Sequence, residues 1–108
     1  MSPENAANSF QAMGSDARLS VLRTLIRAGD GGLPVGTIQE RTGIAASTLS
    51  HHIRVLTDAG VISQRREGRT TVTQADFDHL RDLADYILLE CCSDLPETTA
   101  QNDREGVS

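Results

Sequence analysis

Three groups of side chains in this 108-residue chain are of types that do chemistry. The first is Ser47, Thr48, Ser50, His51 and Arg54, which helical spacing places on one short polar face. Hydroxyls, an imidazole and a guanidinium on one surface suit the base edges and phosphates of a DNA groove. The second is Arg65, Arg66 and Arg69, set around the predicted turn Glu67-Gly68. Guanidinium groups bind phosphate in a bidentate fork, so an Arg-tipped hairpin beside such a helix fits duplex DNA. The third is Cys91-Cys92, the only cysteines present. Adjacent thiolates can turn toward one soft ion. Trivalent arsenic and antimony are thiophilic and fit; zinc wants four ligands, and no zinc site is expected.

Each group also has a plainer reading. Ser47 can act only as a helix cap, and His52, beside the stripe Leu49, Ile53 and Leu56, reads as a packed core histidine. Charged hairpins commonly do no more than blunt a sheet edge. Cys91 continues an apolar stripe and can be a small buried hydrophobe. Cys92, about a third of a turn round, need not share that environment. A catalytic reading finds little support: there is no Cys-x-x-Cys motif, no glycine-rich phosphate loop and no nucleophile-base pair.

The elements that must position these groups follow from periodicity and turn residues. Residues 4 to 13 form a short helix with Ala6, Phe10 and Met13 on one side, ended by Gly14. Ser15 or Asp16 caps a second helix to about Ala28, with Leu19, Leu22, Leu25 and Ile26 as its apolar positions. AGDGGLP is a turn-rich loop. A short helix over Val35 to Thr42 turns Ile38 and Val35 inward and breaks at Gly43. The next helix runs from Ala46 to Ala59 and stops at Gly60. Residues 61 to 66 and 69 to 74 make a hairpin. Asp76 caps a last helix to about Cys92, with Leu80, Ala84, Ile87 and Cys91 on one stripe. Two helices joined at Gly43 and followed by a hairpin read as a winged helix-turn-helix, mainly α with one two-stranded wing. The domain spans residues 4 to 93, and residues 94 to 108 read as a disordered tail.

The net charge of −5 looks wrong for a nucleic-acid binder, but its distribution answers the objection. Residues 1 to 60 balance, the hairpin segment 61 to 70 carries +2, and residues 71 to 108 carry −7. Phosphate attraction follows the local field, not the total. There is no Lys, so every cationic side chain is Arg. No apolar run is long enough to span a bilayer, and MSPENAANSF lacks the pattern of a signal peptide. The expectation is a cytoplasmic protein with no membrane partner, in which two cysteines are not a disulfide framework.

From Met13 to about Asp94 the chain resembles the arsenic-repressor (ArsR) family of bacterial metalloregulators. The matching pieces are DARLSVLRTL, STLSHHIRVLTDAGVI and RREGRTTV. The resemblance implies a homodimeric winged-helix repressor whose first and last helices build the dimer interface and which binds operator DNA. RAGDGGLP with LLECCSDLPE is similar to the branch that senses trivalent arsenic or antimony through vicinal cysteines, here Cys91 and Cys92. Members often begin the second helix with Asp-Pro or His-Pro, where this chain has Ser15-Asp16. That branch often has a third cysteine a few residues on; here the segment is LPETTAQ, with Thr98 and Thr99. VGTIQERT has no cysteine, and the last helix has Asp76, Asp78 and His79 but no second His for an interfacial zinc site.

The sequence therefore predicts a homodimeric repressor released from a pseudo-palindromic operator by trivalent arsenic or antimony. A thiol redox sensor of the same fold is the nearest alternative. A dimerisation module that does not bind DNA is the alternative from another class.

Overall fold

The structure, a computed structural model, describes residues 1–95. Its order is α1 (Pro3–Met13), α2 (Asp16–Ala28), a 3-10 turn (Gly29–Gly31), β1 (Leu33–Pro34), α3 (Val35–Thr42), α4 (Ala46–Asp58), β2 (Ile62–Glu67), β3 (Thr70–Ala75) and α5 (Phe77–Leu88). Among the described residues no helix is long and apolar enough to cross a membrane.

Local chemistry sets the boundaries. Ser2 and Ser15 cap α1 and α2 by accepting from the backbone N–H groups of Asn5 and Arg18. Asp76 caps α5 in the same way through His79 N–H. Gly43 ends α3 at φ 72°, a left-handed turn that a side chain would strain. The buried core joins Val21, Leu22 and Leu25 of α2 to Ile38, to Leu49, Ile53 and Leu56 of α4, and to Val61, Ile62, Ala75 and Leu83.

Several sequence expectations are corrected here. The inward face of α2 is Val21, Leu22, Thr24 and Leu25, while Leu19 and Ile26 are exposed. In α1 the buried residues are Ala6, Ser9 and Ala12, and Phe10 faces out. The hairpin is shifted by one residue: Glu67 pairs with Thr70, so its turn is Gly68-Arg69 and not Glu67-Gly68. The expected two-stranded hairpin is present and gains a third strand beside it. β1 pairs antiparallel with β3, giving a three-stranded sheet in the order β1-β3-β2. A two-residue strand containing Pro34 carries too little pattern to be seen in sequence. Finally, α5 stops at Leu88 and not at Cys92. Only Leu83 of this helix is fully buried, so tertiary packing does not carry the helix further. The tail reading falls, beyond Leu95, outside the described residues.

Candidate functional site

α4 presents its apolar stripe to the core and its polar face to solvent. Leu49, Ile53 and Leu56 are buried, while Ser47, Thr48, Ser50, His51 and Arg54 are all exposed. Ser47 is not a cap: Ala45 holds the N-cap position without a side-chain bond. Its hydroxyl is therefore not committed to ending the helix. His52 sits at the side of the core stripe, partly buried, and its Nδ1 has no hydrogen-bond partner among the described residues. Burial first, then the charges of Arg18 and His51, lower its pKa. The ring thus lies at the edge of the core stripe and not within it, and its lowered pKa favours the neutral form.

The wing divides its three arginines. Strand alternation puts Ile62, Gln64 and Arg66 on one face of β2 and Ser63, Arg65 and Glu67 on the other. Arg66 and Arg69 are exposed. Arg65 is engaged within the protein: its guanidinium donates to Glu67 Oε2 at 3.0 Å, to the Gly31 carbonyl at 2.9 Å and to Gln74 Oε1. Arg66 and Arg69 are thus open to solvent, as the α4 residues are, and Arg65 is set apart.

Gln64 was missed in the sequence. It helps line a cleft of about 300 Å³ between α4 and β2, together with Ser50 and Arg54. Its Nε2 donates to Thr73 Oγ1 at 3.1 Å, which fixes the side chain beside the helix face. The period-2 alternation from Ile62 is the available signal, but a neutral Gln among arginines carries no chemical mark of its own.

The cysteines lie just past α5, in a run of turns over residues 89 to 94. Cys91 N–H donates to the Leu88 carbonyl at 2.8 Å, and Glu90 and Cys92 take φ 66° and 63°. Cys91 is exposed, which corrects its reading as a buried hydrophobe, and Cys92 is partly buried. The two Sγ atoms are 3.5 Å apart. Among the described residues no group of three or more His, Cys, Asp and Glu is arranged to hold a metal ion. A second observation at this end is an apolar cleft of about 380 Å³ between α1 and α5, lined by Phe10, Met13, Leu80, Leu83, Ala84, Ile87 and Leu88.

One buried contact joins the two ends. Ser9 Oγ donates to the Ala59 carbonyl at 2.9 Å, at the end of α4. With that proton committed, His79 Nε2–H donates to Ser9 Oγ at 2.8 Å. The His79 ring packs on Gly60, where an added Cβ would sit 3.2 Å from it.

Known proteins match this arrangement. The family model described as "Helix-turn-helix domain" matches residues 13–65. The transcriptional repressor SdpR of Bacillus subtilis is 31% identical, over 75% of this chain and 87% of its own length. The cadmium resistance regulatory protein CadC homolog of Staphylococcus aureus is 28% identical, over 81% and 70%. A probable mercury resistance operon repressor of Streptomyces lividans is 26% identical, over 87% and 80%. The chain spans 63% of the length of another relative, the Bacillus subtilis regulator YceK. Among solved structures, an ArsR-like regulator from Rhodococcus superposes with TM-score 0.73 at 18% identity, over 94% of this chain and 92% of that one. A homodimeric winged helix-turn-helix DNA-binding domain from Mycobacterium bovis superposes with TM-score 0.65 at 24% identity, over 83% and 82%. The relatives are transcriptional regulators rather than enzymes. With the helix-turn-helix, the wing and these likenesses together, the chain belongs to the ArsR family of winged-helix transcriptional regulators.

Proposed function

We propose that the chain is a homodimeric repressor that binds operator DNA and is released by trivalent arsenic or antimony at Cys91 and Cys92. The observation that carries the DNA reading is the exposed α4 face Ser47, Thr48, Ser50, His51 and Arg54, which shares a cleft with Gln64 of the wing strand that also bears exposed Arg66. α4 lies in the major groove, with its hydroxyls, His51 and Arg54 at base edges and phosphates. Arg66 and Arg69 neutralise phosphate. The apolar α1–α5 cleft is covered by the same cleft of a second copy, as a two-fold interface requires. Two α4 helices then meet half-sites about 34–36 Å apart.

The donor set fits a soft, low-coordinate ion. With metal–sulfur bonds of about 2.3 Å, as for zinc thiolates, a 3.5 Å span subtends about 100° at the ion. That is tighter than a tetrahedral angle and suits a pyramidal centre. Exposure of Cys91 leaves a path for the ion. A third ligand comes from the partner subunit, a small thiol or water. The cadmium resistance regulator and the mercury resistance repressor among the relatives support a soft-ion effector. A disulfide within the pair is less favoured. Adjacent Cα atoms are about 3.8 Å apart, whereas unstrained disulfides span about 4.4–6.8 Å.

Capture at the end of α5 acts on the dimer because the turn carrying the thiols continues the helix that lines the cleft. Effector and DNA then prefer different dimer geometries, and each weakens the other by the same factor. The test is binding to the DNA upstream of its own gene, with and without arsenite or antimonite. Salt-dependent binding, release by the metalloid, and loss of release in Cys91→Ser and Cys92→Ser are expected. Serine variants released as readily as the wild type would place the effector elsewhere. Release by oxidant alone would favour the redox reading.

A further inference from the structure

We propose that Arg65 is a positioning residue that braces the wing against the α2–α3 connection, and that it does not bind DNA. This rests on the reading of the wing as a DNA-contacting element. Each of the three guanidinium nitrogens of Arg65 is committed. Nε donates to Glu67 Oε2, Nη1 to Gln74 Oε1 on β3, and Nη2 to the Gly31 carbonyl in the loop after α2. The acceptors thus come from both wing strands and from a segment 34 positions earlier in the chain. A planar fork reaches three directions at once; a single ammonium does not reproduce that geometry.

The loop that Arg65 grips is itself pressed on the sheet. Gly32 has φ +65°, and a Cβ there would lie 2.5 Å from the Thr73 carbonyl oxygen and 2.9 Å from Val72 Cγ1. The next residues form β1, paired Leu33 with Thr73 and Pro34 with Val72. The base of the wing is therefore held on its β3 side by backbone pairing, and on its β2 side by one arginine. The Glu67 carboxylate offsets the charge of Arg65, so the pair offers phosphate little net field. Arg66 points from the opposite face of β2, and Arg69 stands in the turn; among the described residues neither forms an ion pair that would divert it from phosphate. The wing thus separates two roles that its run of arginines makes look alike.

The experiment measures dissociation constants of the full chain for the labelled upstream duplex across a series of KCl concentrations. The variants are Arg65→Ala, Arg65→Lys, Gln74→Ala, the Arg65→Ala/Gln74→Ala pair, and Arg66→Ala. Folded fraction is checked by circular dichroism at each condition. Each phosphate contact contributes about 0.9 to the slope of log affinity on log salt, so Arg66→Ala should lower it by about two per dimer. Arg65→Ala should weaken binding about 5- to 20-fold, by loss of charge-assisted bonds that hold the wing, with the slope unchanged. Arg65→Lys should resemble Arg65→Ala, and the double variant should be no worse than the single. A lowered slope in Arg65→Ala, restored affinity in Arg65→Lys, or wild-type affinity in Arg65→Ala overturns the proposal while leaving the DNA reading intact. A wild-type chain with no salt-dependent binding overturns the DNA reading and the proposal with it.

Discussion

Along α4 the large apolar side chains point inward, and Leu49, Ile53 and Leu56 are buried by α2 and the sheet. Along α5 the arrangement reverses. Leu83 alone is fully buried, while Ile87, Leu88 and the following Leu89 are 60%, 63% and 68% exposed. The difference teaches where one chain suffices. The surface proposed to read DNA is held from behind by the chain's own core. Among the described residues the α1–α5 surface has no such backing on its outer side, and water contact of this much hydrocarbon favours a second copy.

Ile87→Asp breaks this comparison most sharply. Burying one Ile or Leu contributes about 1.5–3 kcal/mol, and a two-fold interface counts it twice. The dimer dissociation constant should rise more than about 100-fold. Ile87 faces solvent within the single chain, so the melting temperature of a monomer should change little. Sedimentation velocity at micromolar concentration reads the outcome. A dimer that persists unchanged would mean that the exposed face is not the interface.

The same contrast explains what the sequence made legible. The α4 stripe was plain because Leu49, Ile53 and Leu56 recur at helical spacing with polar residues between them. Gly43 and Asp76 were plain because each has a single strong local preference, a left-handed turn and a helix cap. The face of α2 was not, since Leu19, Val21, Leu22, Leu25 and Ile26 cover two adjacent sides and only tertiary contact selects one. The end of α5 was misplaced for the opposite reason. Leu88-Leu89 continues the pattern, yet among the described residues both side chains stay mostly exposed. In the site, the α4 residues and the exposed arginines were legible as types, while the commitment of Arg65 to Gly31 and Gln74 depends on a contact between distant segments.

Gly32→Ala tests the reading side without touching its exposed residues. Positive φ alone costs about 1–3 kcal/mol for a side chain, and the 2.5 Å approach to the Thr73 carbonyl adds to it. A loss of about 2–4 kcal/mol is expected, seen as a melting temperature lower by roughly 10 °C or more. Gly43→Ala is the control, with φ +72° but open space around it, and should lose about 1–2 kcal/mol. Equal losses at the two positions would show that the α2–α3 loop is not pressed on β3.

Ser9→Ala sharpens the comparison at the point where the two regions meet. It leaves the Ala59 carbonyl and His79 Nε2 without the hydroxyl that joins them. Stability should fall by about 1–3 kcal/mol, the cost of unpaired buried groups. Denaturant titration gives that number. If the bond also couples the regions, metalloid release should become less steep in the variant than in a stability-matched control such as Gly43→Ala. Unchanged release would confine the contact to packing.

The smallest effect concerns His52, which belongs to the reading side. Its pKa is lowered from 6.5 by burial, and further by Arg18 and His51. The unfolded chain therefore takes up a proton before the folded one does. The stability held in the neutral ring is fully present above about pH 6.5 and is lost progressively as pH falls through that value toward the folded pKa. Below the folded pKa both forms are protonated and the loss stops growing. His52→Gln removes this term. Thermal melts at about pH 7.5, 6.5 and 5.5 should show the wild type losing more stability on acidification than His52→Gln, by a small margin. Parallel losses in the two proteins would mean that His52 reaches water in the dimer, and that the back of α4 is less closed than the buried stripe beside it.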